Sequence, residues 1–262
     1  DNDNGKLGEK VRNLLFPTHN YGQQTTIGTI EHLKNPSLVE IRKYYNKYYV
    51  PNNMAAIFAG DFNPDEMIKK VDAAFSYMKP DPKLQTYNPA PEKPLVGIQR
   101  VEVKGPSAES VNIAYRGYPD GSRENLLLGL IGSILFNGKA GLIDININKQ
   151  QKTLGASAGY SAQKDYGVFT LAARAKQGQT LQDVEKIVLA EVENLKKGNF
   201  DEELLKAIIA NKKLSFIQAF DYNSNRADYL MEAFVYNRGE KWDGTLNEIN
   251  AQSKITKAEI IA

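Results

Sequence analysis

The chain has no cysteine, two histidines and one tryptophan, and it carries no excess of either charge: 33 basic residues against 31 acidic ones leave a net +2. Each shortage removes a class of function. Without cysteine there is no disulfide, no thiolate metal site and no cysteine nucleophile. A near-neutral balance with no basic run offers no footprint for a nucleic-acid backbone. No stretch reaches the roughly eighteen consecutive apolar residues that a membrane-spanning helix requires. None of this fixes the compartment, because cysteine-free chains serve on both sides of a bacterial inner membrane.

What is present is an ordinary globular composition, 42% hydrophobic and 24% charged over 262 residues. That length suits one large domain or two of ordinary size, with enough apolar side chains for a proper core. The chain opens Asp1-Asn2-Asp3-Asn4, with neither an initiator methionine nor an apolar leader. This reads as a removed signal or as excision from something longer.

Capping and breaking residues divide the chain. A short helix is expected around Leu7–Leu15, followed by a Tyr21-Gly22 turn and a polar loop. Asn35-Pro36 stops anything earlier, and Ser37 with Glu40 three residues on forms the start of a helix to Tyr48. Leu38, Ile41, Tyr45 and Tyr48 share one face of it and are expected to be buried. Met54–Ala59 reads as an apolar strand. Gly60-Asp61-Phe62-Asn63 then turns the chain, and Pro64 sits at the first position of a helix reaching Met78, with Asp65 and Glu66 suiting its positive end. Residues 79–94, holding Pro80, Pro82, Pro89, Pro91 and Pro94, read as a linker.

Beyond it, strands are expected at Val96–Val103 and Ser110–Arg116, the second with Val111, Ile113 and Tyr115 on a buried face. An apolar helix at Arg123–Phe136 ends at Asn137-Gly138, and a second helix is expected at Gly141–Lys152. Leu154–Ala162 and Gly167–Arg174 form a hairpin. Thr180 caps a helix to Lys197, with Leu181, Val184, Ile187, Val188, Val192 and Leu195 inward. Asp201 starts a long helical region to Tyr236, interrupted near Asp221–Asn223. Finally Thr256, Glu259 and Ile260 repeat the device of Ser37, Glu40 and Ile41. One turn of helix is not stable alone, so an ending at Ala262 reads as a fragment.

The chemistry is sparse. His19, in Pro17-Thr18-His19-Asn20-Tyr21-Gly22, has loop character and is expected to be structural, and His32 is expected at a surface or helix edge. Neither H-E-x-x-H nor H-x-x-E-H occurs, so no helix offers two imidazoles to zinc. G-x-S-x-G, a P-loop and G-x-G-x-x-G are likewise absent. Asp65-Glu66 and Asp201-Glu202-Glu203 sit at helix starts and complement the dipole there. Tyr44, Tyr45, Tyr48 and Tyr49 fall at helical spacing, which is a packing pattern.

One stretch is more specific. Tyr21-Gly22, Thr26-Ile27-Gly28-Thr29, the helix Ser37–Tyr49, Pro51-Asn52-Asn53-Met54 and Gly60-Asp61-Phe62 occur in an order that resembles the pitrilysin/insulinase family of zinc metallopeptidases. Leu142–Ala158 resembles the family's second subdomain more loosely, with Leu154-Gly155 leading a strand. The resemblance implies an α+β fold of repeated metallopeptidase-like subdomains, as in mitochondrial processing peptidase, with antiparallel sheets covered by helices. It implies the tail of a first subdomain in residues 1–80, the linker 81–94, and most of a second subdomain in 95–262, truncated at its end.

In the family two zinc ligands and the base lie on an H-x-x-E-H helix, upstream of every motif matched here, and the third ligand, a glutamate, would fall shortly before Asp1. Glu9 is the nearest candidate, but Gly8-Glu9-Lys10 does not match. The resemblance therefore gives this chain no catalytic and no metal-binding residue, and leaves any substrate-binding residue undefined. Zinc belongs to the parent protein and not to this fragment, which is expected to be inactive alone. Members also hold substrate with an Arg and a Tyr; in the corresponding Asn148–Ala158 there is no Arg, and Ala158 stands in place of the Tyr, with Tyr160 nearby but off register.

The implied partners are peptide substrates, enclosed in a chamber, and a second half or partner subunit of the same family, with a bacterial periplasmic location favoured over the cytoplasm. A degenerate subunit that holds substrate or serves structure is the alternative for the parent. A stand-alone binding domain is the reading that remains outside the family.

Overall fold

The computed structural model describes residues 3–85, 87–236 and 244–262. The first two residues of the chain therefore lie outside the described part. The chain divides into two compact units, residues 4–102 and 103–262.

The first unit is a run of helices joined by extended chain. Its helices are α1 (Asp3–Leu15), α2 (Asn20–Gln23), α3 (Ile30–Lys34), α4 (Leu38–Tyr48) and α5 (Pro64–Phe75). The side-chain oxygen of Ser37 accepts from the Glu40 N–H and starts α4, while Asn63 does the same for two N–H groups at the start of α5, where Pro64 needs no donor. Residues 79–94 form neither helix nor strand where they are described.

Two expectations for this unit are corrected. Leu38, Ile41 and Tyr45 are exposed and Tyr48 is half-buried, so α4 has the apolar face that its spacing encodes but none of the described residues covers it. Met54–Ala59 and Val96–Val103 join no sheet among the described residues, and the second is broken by Gly97 at a positive φ of 66°. The reason is the same for both: a strand exists only through the ladder it forms with a neighbour, and no neighbour stands there among the described residues.

The second unit is α+β, and here core and sheet are complete in themselves. Strands β1 (Ser110–Gly117), β2 (Gly155–Ala162) and β3 (Gly167–Arg174) make an antiparallel sheet in the order β1-β3-β2, with Ile113 opposite Leu171 and Ala158 opposite Leu171 from the other side. The central strand β3 alternates buried Phe169, Leu171 and Ala173 with half-buried neighbours. Tyr115 is half-exposed, so the buried row expected on β1 reduces to Val111 and Ile113.

Helices α6 (Arg123–Leu135) and α7 (Leu181–Lys196) lie on each other and on the sheet, and α8 (Glu202–Ala219), α9 (Asn223–Val235), α10 (Gly244–Gln252) and α11 (Lys257–Ile261) complete the unit. The core is built from Leu130 and Ile134 of α6, Ile143 and Ile147 of the following turns, Leu171, and Val184 and Val188 of α7. Gly132 lets α6 approach β2 closely: a Cβ there would sit 3.4 Å from the Gly159 Cα and the Tyr160 nitrogen.

The helix expected at Gly141–Lys152 is present in shorter and wider form: it is a π-helix over Asp144–Asn148, with Lys149 N–H donating to the Asp144 carbonyl at 2.9 Å and Lys152 N–H to Ile147 at 3.0 Å. Bonds spanning five residues widen the helix there. The buried carboxylate of Asp144 explains the departure, since it accepts from the N–H groups of Asn137 (2.9 Å) and Gly141 (3.0 Å) and fixes how the chain enters the turn.

Candidate functional site

Polar groups converge at several places in the described residues, of which one in each unit was singled out by the sequence. In the first unit it is His19. The imidazole is 2% exposed, lies edge-on to Tyr21 with ring centroids 4.2 Å apart, and faces Phe16 at 6.4 Å. Its Nδ1 accepts from the Tyr21 N–H at 3.2 Å and so caps α2. The buried carboxylate of Glu92 accepts from the backbone N–H groups of Thr18 (2.8 Å) and His19 (2.7 Å) and pins the same turn. A histidine with one ring nitrogen spent on a cap, beside a carboxylate spent on two backbone donors, is a structural device. Glu92 is the member of this pair that the sequence did not disclose: it sits in a proline-rich stretch about seventy residues away, where no local pattern marks it.

His32 is exposed on α3, and Glu9 is exposed on α1. Among the described residues, no three of His, Asp or Glu come together as a group able to hold a metal ion. The residues present therefore do not fit zinc, and no zinc chemistry can be routed through them.

In the second unit a polar convergence is Asn148–Ala158. Asn148 bonds both the N–H and the carbonyl of Ala156 (2.8 and 2.9 Å), so its side chain completes the outer edge of β2 as a further strand would. Gln151 takes a positive φ of 51° to turn the chain toward Thr153. An open cleft of about 410 Å³ lies here, lined by Phe136, Gln151, Thr153, Leu154 and Lys176 among others. The buried Thr153 hydroxyl finds no hydrogen-bond partner among the described residues.

Ala158 and Tyr160, two residues apart on β2, fall on one face of the sheet. The Tyr160 hydroxyl donates to the Tyr118 carbonyl at 2.5 Å, and burial raises the phenol's pKa above its usual value. Tyr160 is thus bound to its own unit and does not present a free hydroxyl in place of the absent one.

Two further carboxylates went unnoticed in the sequence. One is Asp144, described above. The other is Glu191, buried on α7 and accepting from Asn146 (2.7 Å) and Asn194 (3.0 Å). Both tie the wide turn to its surroundings. The one sequence signal for Glu191 is its position on the apolar face of an otherwise regular amphipathic helix.

Comparison with known proteins gives the family and the fold. Residues 37–212 match the family model described as the peptidase M16 inactive domain. The chain is 23% identical over 237 residues to the zinc protease PqqE of Helicobacter pylori, a match that covers 89% of this chain and 53% of that protein. It therefore spans about half the length of this curated relative. The crystal structure of a protease from Helicobacter pylori superposes with a TM-score of 0.79 at 20% identity, over 98% of this chain and 66% of the other. The first half of the periplasmic protease PqqL from Escherichia coli superposes with a TM-score of 0.70 at 16% identity, over 100% of this chain and 58% of the other.

Proposed function

We propose, for a chain that belongs to the peptidase M16 family as its inactive domain, that it is the non-catalytic portion of a longer zinc metallopeptidase acting on peptides. The observation that carries this reading is the family match over 37–212, on a chain about half as long as a relative named as a zinc protease. On this reading, residues 1–80 close one subdomain, 81–94 link, and 95–262 form most of a second. The metal-dependent step, a zinc-activated water adding to a peptide carbonyl, belongs to the remainder of the protein. This chain contributes a wall of the chamber in which the peptide is enclosed. The likeness to a periplasmic protease supports a periplasmic location.

A second reading has its own support. No arginine lies in Asn148–Ala158, Ala158 replaces the family's tyrosine, and the nearby Tyr160 is held by the Tyr118 carbonyl. Those absences suit either a zinc-bearing half whose partner supplies the contacts or a degenerate subunit that holds substrate without cutting it. The deciding measurement is on the longer protein that contains this chain: zinc content together with cleavage of a quenched peptide. About one zinc per chain and activity abolished by a chelator establish the peptidase. No zinc and no cleavage, with partner chains supplied, move the assignment to the degenerate subunit.

A further inference from the structure

Just past the end of α6 an asparagine is followed by a glycine, Asn137-Gly138, and both residues are exposed. The Asn137 Oδ1 accepts from the main-chain N–H groups of Lys139 (3.0 Å) and Ala140 (2.9 Å), while its Nδ2 donates to the Ser133 carbonyl at 3.1 Å. Gly138 takes a positive φ of 77°, and no atom stands within 4 Å of where a Cβ would be. The Gly138 N–H donates no hydrogen bond among the described residues. The Asn137 main-chain N–H, by contrast, is held at 2.9 Å by the buried carboxylate of Asp144, which also takes the Gly141 N–H at 3.0 Å.

We propose that Asn137 is a self-modification site, converted through a cyclic imide to aspartate and isoaspartate, and that the isoaspartate loosens the entry to the π-helix. The Gly138 nitrogen, after giving its proton to hydroxide, attacks the Asn137 Cγ and closes a five-membered ring. The Cγ–Nδ2 bond breaks, and Nδ2 leaves with a proton from water as ammonia. Water then opens the imide. Cleavage of the new N–Cγ bond gives aspartate, and cleavage at the original main-chain carbonyl gives isoaspartate, whose main chain runs through the side chain and is longer by one methylene. One water is consumed and one ammonia released, with no change of oxidation state. The two N–H groups on Oδ1 stand where negative charge develops as the ring closes, at distances suited to stabilising an oxyanion. Glycine at 138 puts no side chain in the way of that closure. The same dipeptide occurs at Asn4-Gly5 inside α1, where the side chain leans toward the helix N-terminus and away from the next nitrogen. The extra methylene falls between the two N–H groups that Asp144 holds, so isoaspartate cannot keep both in place. Phe136, the preceding residue, lines the cleft.

The test ages this chain in mildly alkaline buffer and reads the peptide carrying Asn137 by mass spectrometry, with isoaspartate separated from aspartate. The expected result is conversion at Asn137 with isoaspartate among the products, slower on acidification, and about tenfold slower at Asn4 because of its helical backbone. Asn137→Gln, which would have to close a six-membered ring, is expected to remove most of the conversion. In the isoaspartate fraction, amide exchange over Gly141–Asn148 should be faster than in the fresh chain. Asn137→Asp keeps an Oδ1 acceptor and the normal main chain, and should leave that exchange unchanged. Asn137 intact after an interval that converts an unstructured peptide of residues 133–142 overturns the proposal. Aspartate without isoaspartate also overturns it, because direct hydrolysis needs no imide. Equal conversion at Asn4 and Asn137 does the same, since the turn would then contribute nothing. An isoaspartate fraction that exchanges like the fresh chain overturns the claim about the π-helix. None of these outcomes depends on whether the longer protein is a peptidase.

Discussion

Residues 103–262 and residues 4–102 are written in the same helical vocabulary, with hydroxyl or amide caps, acidic first turns and apolar faces at helical spacing. They end in opposite states. In the second unit those faces meet one another across a sheet. In the first, the buried apolar side chains among the described residues are Leu15 and Phe16, next to the His19 turn, and Val50. A capped amphipathic helix thus forms by local rules in both places, while burial depends on what else is present. The difference teaches that, among the described residues, α4 is held chiefly by its cap, its Glu40–Lys43 pair and its Tyr44–Tyr48 and Tyr45–Tyr49 ring contacts, whereas α6 is stabilised by its surroundings.

Substitutions in the two regions are the direct way to break this comparison. Ile134→Ala removes a fully buried side chain between α6 and the sheet and is expected to cost about 2–5 kcal/mol of unfolding free energy. Ile41→Ala, the same kind of truncation on α4, is expected to stay within about 0.5 kcal/mol in this chain. Denaturant titration, followed by exchange in each unit, measures both. Comparable losses would mean that α4 is covered in solution by something in this chain.

The next effect sharpens the contrast inside one helix. Gly132→Leu forces bulk against the β2 backbone and is expected to destabilise by about 1–3 kcal/mol. At Gly129, one turn earlier on α6, an added Cβ meets nothing within 4 Å, so Gly129→Ala is expected to gain up to about 1 kcal/mol from helix propensity. Thermal midpoints of the two variants should therefore move in opposite directions.

In the first unit the sealed patch is the place to look. Glu92→Ala leaves the Thr18 and His19 N–H groups without their acceptor, at an expected cost of about 1–3 kcal/mol. Because so little else holds this unit, the loss should appear as faster exchange at residues 15–23, with the second unit unaffected. Unchanged exchange there would show that the turn is held by the aromatic contacts of Phe16, His19 and Tyr21 instead.

The sequence disclosed much of this and concealed the rest for definable reasons. Caps are local, so Ser37, Asn63-Pro64, Thr180, Asp201 and Thr256 place helix starts within a residue or two. The β2–β3 hairpin was likewise legible from alternation around a short turn. The burial of α4 and the strands at Met54–Ala59 and Val96–Val103 were misjudged because periodicity reports which face a segment would bury, not whether a partner is there. A helix within Gly141–Lys152 was legible, but its widened form over Asp144–Asn148 was not, because it goes with a single buried carboxylate whose donors lie at Asn137 and Gly141. At the site level, the absence of zinc-ligand motifs was plain, whereas the roles of Glu92 and Glu191 depend on contacts from distant segments that no short window contains.

The smallest effect concerns the cap of α11. The Thr256 main-chain N–H and, after it, the Arg123 guanidinium hold the Glu259 carboxyl below its ordinary pKa of 4.5. A carboxylate with a lowered folded-state pKa contributes its stabilisation in full above the unfolded value and loses it as pH falls through the folded one. Protection of the α11 amides should therefore be flat above the carboxylate range and decline as the solution is acidified below about pH 4.5. Arg123→Ala separates the two contacts, since it leaves the Thr256 N–H bond to the Glu259 carboxylate in place while removing the guanidinium, and it should weaken the acid response of α11. An acid profile at α11 unchanged by Arg123→Ala would mean that the cap alone sets the response, and would remove Arg123 from the account of α11.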